Sequence, residues 1–156
     1  EGTNGIQSAD LAFRKILRDG GNELKAYLKS FDDVIAQLKG AKGDDLSVIH
    51  KYLADAYAKV AKASEHLGVL AKEDLDYVAA VSAIYLKALA TAACGMMMAR
   101  AAMAAQEKLS SGSGDAASYE AKILKARFFA ENFLPQASAQ AESVMTSAKT
   151  IVSSRF

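Results

Sequence analysis

The residue types that bind metals are few in this chain of 156 residues. Di-metal carboxylate bundles need Glu-x-x-His pairs, which place two ligands on one helix face, a turn apart. His50 follows Ser47 at that spacing and His66 follows Ala63, so neither histidine completes such a pair. Cys94 is the only cysteine, which leaves no partner for a zinc or iron–sulfur site of the usual kind. The sequence therefore predicts no metal site.

Phosphate-binding and nucleophilic motifs are weak as well. Residues 110–114 read Ser-Ser-Gly-Ser-Gly, but they lack the Lys-Ser or Lys-Thr that completes a P-loop. Their composition is typical of a flexible linker. A serine nucleophile paired with His and Asp stays open, because such residues can meet from distant parts of a fold, although no local signature supports one.

Charge and cysteine content narrow the class of protein. Lys and Arg number 19 against 18 Asp and Glu, so the formal net charge is +1 and binding to nucleic acid or to an anionic membrane surface is not predicted. A single cysteine forms no internal disulfide, which favours a cytoplasmic setting. The chain begins with Glu1 rather than Met, and no charged and apolar leader follows it. We expect a piece of a longer protein.

Helices must position any site in this chain. Alanine accounts for 32 residues and proline for one, which favours helix on propensity alone. From Leu46 to Leu70 the apolar residues recur every three or four positions, the spacing of a helix that packs in a bundle. Glycine and short polar runs separate five such segments. Candidate N-cap residues precede the later ones: Asn22, Asp44 or Asp45, Asp74 and Asp115.

These patterns predict an all-α fold, an antiparallel up-down-up-down four-helix bundle preceded by a short N-terminal helix. Pro135 lies inside the last pattern and predicts a kink near Phe133, because its ring removes a backbone hydrogen bond. The expected helices run over about 7–18, 22–39, 45–71, 74–109 and 116–152.

Residues 75–109 are apolar or small on nearly every face. Lys87 and Arg100 interrupt the stretch and leave about a dozen residues free of charge, fewer than the roughly 20 that a membrane span needs. We interpret it as the most enclosed helix of the bundle, with Gly95 allowing close backbone approach. A groove for a partner is the alternative interpretation. Four methionines would fill gaps in the core: Met96, Met97, Met98 and Met103.

The N-terminal residues carry the most specific pattern. Residues 1–7, Glu-Gly-Thr-Asn-Gly-Ile-Gln, followed by Asp-Leu at 10–11 and Arg-Lys at 14–15, resemble a segment of the flavin-dependent acyl-CoA dehydrogenases that usually reads Tyr-Glu-Gly-Thr. The resemblance continues through Asp-Gly-Gly at residues 19–21. Weaker likenesses to the extra C-terminal domain of the longer bacterial members, a group that includes 3-methylmercaptopropionyl-CoA dehydrogenases, lie at residues 85–88, 95–100 and 119–136.

The resemblance implies an α,β-dehydrogenation of an acyl-CoA thioester, with FAD as the hydride acceptor. Glu1 matches the general base that removes the α-proton, and its backbone N–H matches a donor to the thioester oxygen. Gly2 matches a position that lines the substrate. Thr3, Asn4 and Gly5 match the stretch that contacts FAD, and the helix that follows points its positive end toward that region.

The resemblance also implies a division of the chain and a set of partners. Residues 1–21 would end the catalytic domain, and residues 22–156 would form an accessory four-helix bundle. The parent enzyme would form homo-oligomers and use an acyl-CoA substrate and an electron-transfer flavoprotein, whereas the fragment alone would bind no FAD and be inactive. The alternative is a non-enzymatic helical interaction or oligomerisation module. It is supported by the apolar helix and by the stripe of Phe13, Ile16 and Leu17, for which the sequence shows no cover.

Overall fold

The computed structural model describes residues 3–112 and 114–154, and nearly all of them are helical. Helix α1 spans Thr3–Ala9 and continues directly into a π-helical segment, Asp10–Leu17. No strand occurs within the two described ranges, and the predicted all-α bundle with a short N-terminal helix is confirmed. Five further helices follow: α2 Asn22–Gly40, α3 Asp44–Glu73, α4 Leu75–Ser110, α5 Ala116–Asn132 and α6 Leu134–Ser153.

Two of the predicted N-caps are confirmed. The carboxylates of Asp74 and Asp115 each accept a hydrogen bond from the backbone N–H two residues further on, at 2.9 and 3.1 Å. Neither Asp44 nor Asp45 caps α3, so that prediction is wrong. Helix α3 begins directly after Gly43, whose φ of 120° lies in a region that side-chain-bearing residues rarely adopt.

The cap of α2 lies earlier than predicted. The Asp19 carboxylate accepts hydrogen bonds from the backbone N–H groups of Gly21, Asn22 and Glu23, at 2.9, 3.2 and 2.8 Å. These donors, with Glu23 contributing most, lower the pKa of Asp19. The prediction of Asn22 as the N-cap is therefore wrong, because its side chain donates to the Asp19 carbonyl instead of accepting.

One hydrophobic core joins the π-helical segment and helices α2 to α6. The seam predicted for α3 is buried along its whole length, from Leu46 to Leu70. Most buried residues of α4 and α6 are Ala, Gly or Ser, and Gly95 of α4 faces Leu134 of α6. The largest fully buried side chains include Tyr85, Phe31, Leu38, Ile49, Leu53, Leu67 and Leu134.

The predicted kink near Phe133 is a break between two helices. Phe133 donates its N–H to the carbonyl of Phe129 at 2.9 Å, and its own carbonyl accepts from Ala137 at 3.3 Å. Pro135 lies in the first turn of α6, where its missing N–H needs no partner. The fourth helix that the sequence predicted for the bundle is therefore formed by two consecutive helices, α5 and α6.

Helix α4 is long and apolar enough to cross a membrane by length and composition, with a mean hydropathy of 1.6 over its most apolar window. Nevertheless one side of it is buried against the other helices from Val78 to Ala105. The other side is open, and Met97 is 56% exposed, so the prediction that it fills a core gap is wrong. Met96 is buried, and Met98 and Met103 pack against the core as predicted.

The N-terminal stripe is covered in the structure. Ile16 is only 4% exposed, and Phe13 and Leu17 are half-buried against the same core that the bundle helices form. The expectation that this stripe lacks a cover is therefore wrong, because α2 and α4 supply one. Sequence periodicity identifies an apolar face but does not show which neighbour packs on it.

Candidate functional site

The first turn of α1 holds three of the five predicted site residues. Thr3, Asn4 and Gly5 are all exposed. Glu1 and Gly2, the predicted base and substrate-lining residue, lie outside the described residues. The structure thus shows the immediate support of the predicted site rather than its reacting group.

A pair of buried serines holds α1 to the bundle. Ser8 in α1 and Ser82 in α4 place their hydroxyl oxygens 3.2 Å apart, although 74 residues separate them along the chain. Ser8 also contacts the carbonyl of Gly5 at 2.8 Å, and Ser82 contacts that of Ala79 at 2.9 Å. Three contacts share two hydroxyl protons, so each serine keeps a partner in any arrangement. The pair therefore fixes α1 against α4 without an unsatisfied buried hydroxyl.

The π-helical segment that follows α1 is an uncommon element, and such segments occur frequently at functional sites. Asp10 accepts hydrogen bonds from the Arg14 guanidinium across one turn of this segment. The hydrogen bond with Arg14 lowers the pKa of Asp10. Arg14 thus already has a carboxylate partner within its own segment.

The open space around Gly5 suits the approach of another molecule. A Cβ atom built on Gly5 would have no neighbour within 4 Å. Thr3 and Asn4 beside it offer one hydroxyl and one amide, which can donate to or accept from a polar ring system. Both side chains are exposed and therefore open to a partner molecule.

A separate groove of about 360 Å³ lies between α2 and α3. Leu24 and Leu28 of α2 and Ala61 of α3 give it apolar walls. Tyr57 lines it and stacks on a buried ring of α2, and burial together with the Asp32 carboxylate raises the pKa of Tyr57 to about 12. A tyrosine with so high a pKa is a poor acid–base catalyst at neutral pH.

Ser64 also lines that groove, and it forms a buried hydrogen bond with Tyr85, with their oxygens 2.7 Å apart. The Ser64 hydroxyl also contacts the carbonyl of Val60 at 2.7 Å. Burial raises the pKa of Tyr85 to about 12. Sequence reasoning did not predict this groove or this pair, since neither forms a local motif and both depend on how α2, α3 and α4 pack.

Metal-binding side chains are dispersed. Within residues 3–112 and 114–154, no three His, Cys, Asp or Glu side chains lie close enough to hold a metal ion. His50 and His66 are half-buried at the boundary of the core, and Cys94 is exposed on α4.

The fold and the open first turn of α1 define a helical-bundle domain that carries a polar N-terminal segment. Residues 15–154 match the family described as acetyl-CoA dehydrogenase C-terminal like, and the chain belongs to this family. The predicted resemblance to the C-terminal region of an acyl-CoA dehydrogenase is thereby confirmed.

Two curated relatives support the same assignment. The chain is 36% identical over 143 residues to 3-methylmercaptopropionyl-CoA dehydrogenase of Ruegeria pomeroyi. The aligned residues cover 90% of this chain and 24% of the relative. It is 32% identical over 154 residues to broad-specificity linear acyl-CoA dehydrogenase FadE5 of Mycobacterium tuberculosis. Here the aligned residues cover 94% of this chain and 25% of the relative. The chain spans about a quarter of the length of these relatives.

Proposed function

We propose that this chain is the C-terminal part of a FAD-dependent acyl-CoA dehydrogenase. The whole enzyme would oxidise an acyl-CoA thioester to the 2,3-enoyl-CoA. The observation that carries the proposal is the run Glu-Gly-Thr-Asn-Gly-Ile-Gln at residues 1–7, most of which forms an exposed helical turn anchored to the bundle. A turn that is fixed at its base and open at its tip is suited to present residues to a second domain.

Glu1 is proposed as the general base. Its carboxylate would take the α-proton of the thioester, and desolvation beside substrate would strengthen it for this task. The Glu1 backbone N–H would donate to the thioester oxygen as negative charge develops there. Gly2, which has no Cβ, would let the protein backbone approach the substrate closely.

Thr3, Asn4 and Gly5 are the residues of this chain that would contact FAD. FAD supplies the hydride acceptor for the β-hydrogen when it is bound. The open space at Gly5 and the two exposed polar side chains beside it support this assignment. Most of the surface that holds FAD would belong to other parts of the enzyme, so this chain alone is expected to be inactive.

Residues 22–156 are proposed as an accessory bundle without a catalytic residue, and residues 1–21 as the end of the catalytic domain. The names of both relatives support an acyl-CoA substrate, and the family supports an oligomeric enzyme. We propose an electron-transfer flavoprotein as the electron acceptor. A cytoplasmic setting is supported by the cysteine content and by bacterial relatives.

The test is to express the chain together with the coding region that precedes it in its source. The longer protein is expected to purify with flavin absorbance and to oxidise acyl-CoA substrates with a dye as electron acceptor. Substitution Glu1→Gln is expected to lower kcat by about a thousandfold or more, the upper range for loss of a general base, while flavin stays bound.

A matched control is Glu107→Gln, which makes the same chemical change at an exposed position of α4. It is expected to leave kcat unchanged. If the longer protein lacks flavin, the proposed enzyme class is wrong. If Glu1→Gln retains full activity, the base lies elsewhere.

A further inference from the structure

Helix α5 has a second apolar face that nothing in the described structure covers. Its inner face packs in the bundle through Ile123, Ala126 and Ala130. On the opposite side, Leu124 is 63% exposed and Phe128 is 58% exposed. We call this the outer face of α5, and its residues are Ala117, Ala121, Leu124 and Phe128.

The outer face has the spacing of a helix-pairing seam. Its residues follow one another at intervals of four, three and four, as in the a and d positions of a heptad. Phe133, just past the end of α5, is 41% exposed and packs edge-on against Phe128, with ring centroids 6.2 Å apart. This contact extends the apolar surface and holds the Phe128 ring in place.

The outer face is sorted by size along the helix. Its N-terminal half contains only the small side chains of Ala117 and Ala121, and its C-terminal half contains the bulky Leu124 and Phe128. An antiparallel copy of the same face would set each bulky half against a small half, which gives even spacing along the contact. A parallel copy would set small against small and bulky against bulky.

We propose that the outer face of α5 binds the outer face of a second copy of this chain, with the two helices antiparallel about a two-fold axis. In the register that pairs Ala121 with Leu124 of the second copy, Ala117 lies against Phe128. Because of the two-fold symmetry, each of these two residue pairs occurs twice in the interface, as expected of an isologous dimer.

Charge supports the same register. Glu120 is exposed and forms no ion pair within the described residues. In the antiparallel register it lies across from Arg127 of the second copy. Arg127 bonds Asp45 through Nη1 at 2.7 Å and Glu131 through Nε at 3.1 Å, which leaves Nη2 available to a third carboxylate. The two-fold axis supplies this pair twice.

The association is tested on the 156-residue chain by sedimentation equilibrium over a wide concentration range. The unaltered chain is expected to form a reversible dimer. Phe128→Glu is expected to raise the dimer Kd by about 30-fold or more, as for loss of an aromatic hot spot. Met97→Glu is the matched control, because Met97 is equally exposed but lies on α4, and its Kd is expected to be unchanged.

Two charge reversals test the orientation. Glu120→Lys is expected to raise Kd about fivefold, since it places like charges across the interface twice. Lys125→Glu is expected to leave Kd unchanged, because in the antiparallel register Lys125 lies across from Ser118. Both substituted residues are exposed, and circular dichroism would verify that each variant is helical.

Three results would overturn the proposal. The unaltered chain could sediment as a monomer at every concentration. Met97→Glu rather than Phe128→Glu could dissociate the dimer, which would place the interface on α4. Lys125→Glu could weaken the dimer and be rescued by Glu120→Lys, which would show parallel helices. None of these results bears on the proposed dehydrogenase activity, which is measured separately.

Discussion

Gly95 lies at the contact of α4 and α6, and Gly95→Ala sets two opposing effects against each other. A Cβ atom at residue 95 would lie 2.6 Å from Cδ2 of Leu134, 3.2 Å from its Cδ1 and 3.3 Å from its Cγ. The Leu134 side chain is 1% exposed, so it cannot move away into solvent. Alanine, however, is favoured over glycine inside a helix by about 1 kcal/mol.

The steric effect is expected to exceed the propensity effect. Forcing a methyl group into a packed core costs about 1–3 kcal/mol, so Gly95→Ala should lower the free energy of unfolding by up to about 2 kcal/mol. Truncation of the obstructing side chain by Leu134→Ala costs about 2–5 kcal/mol on its own. In that background the clash is absent, and Gly95→Ala should instead raise the free energy of unfolding by about 1 kcal/mol.

Urea unfolding followed by circular dichroism measures all four members of this cycle. Gly68→Ala is the control, because Gly68 is also inside a helix but a Cβ there would have no neighbour within 4 Å. It should stabilise the chain by about 1 kcal/mol. Gly95→Ala could change the free energy of unfolding equally whether residue 134 is Leu or Ala. In that case Leu134 does not limit the size of the side chain at residue 95, and our reasoning is refuted.

Two further predictions concern buried and capping groups. Ser64→Ala should lower the free energy of unfolding by about 2 kcal/mol, because it leaves the buried Tyr85 hydroxyl without a partner. Tyr85→Phe should lower it by only about 1 kcal/mol, because the Ser64 hydroxyl retains the carbonyl of Val60. Equal losses in urea unfolding would contradict this reasoning. Asp19→Asn should destabilise the chain at neutral pH. Because folding lowers the pKa of Asp19, its stabilisation is present above the unfolded value of about 3.9 and is lost as the pH falls further, so the unfolding midpoints of variant and parent chains should converge in acid.

The helices could be predicted from sequence because their signal is local. Apolar spacing in α3, the glycine-containing links and the caps at Asp74 and Asp115 each act within a few residues. The cap at Asp19 was missed because it acts through the conformation of the two glycines that follow it. Helix α4 is apolar on all sides, so its sequence could not show that the side bearing Met97 lacks a neighbour.

The candidate site, like the fold, could be predicted from sequence only in part. Residues 1–5 were predicted by resemblance to a family, and the structure adds how the helix that contains residues 3–5 is held, through the contact of Ser8 with Ser82. That contact joins residues far apart in sequence and has no local signature. The outer face of α5 could have been found from the spacing of Leu124 and Phe128, but only the structure shows which of two apolar faces the bundle covers.

The small buried side chains of α4 and α6 have a thermodynamic consequence. An alanine has no rotamers to lose, so its burial costs no side-chain conformational entropy, whereas leucine or isoleucine costs about 0.5–1 kcal/mol. The buried alanines of α4 and α6 therefore allow close packing without the entropy cost of ordering long side chains at those positions. The chain should accordingly release less side-chain entropy on melting than a leucine-rich bundle of equal size. The buried alanines of the two helices are Ala88, Ala92, Ala99, Ala102, Ala105, Ala137, Ala141 and Ala148.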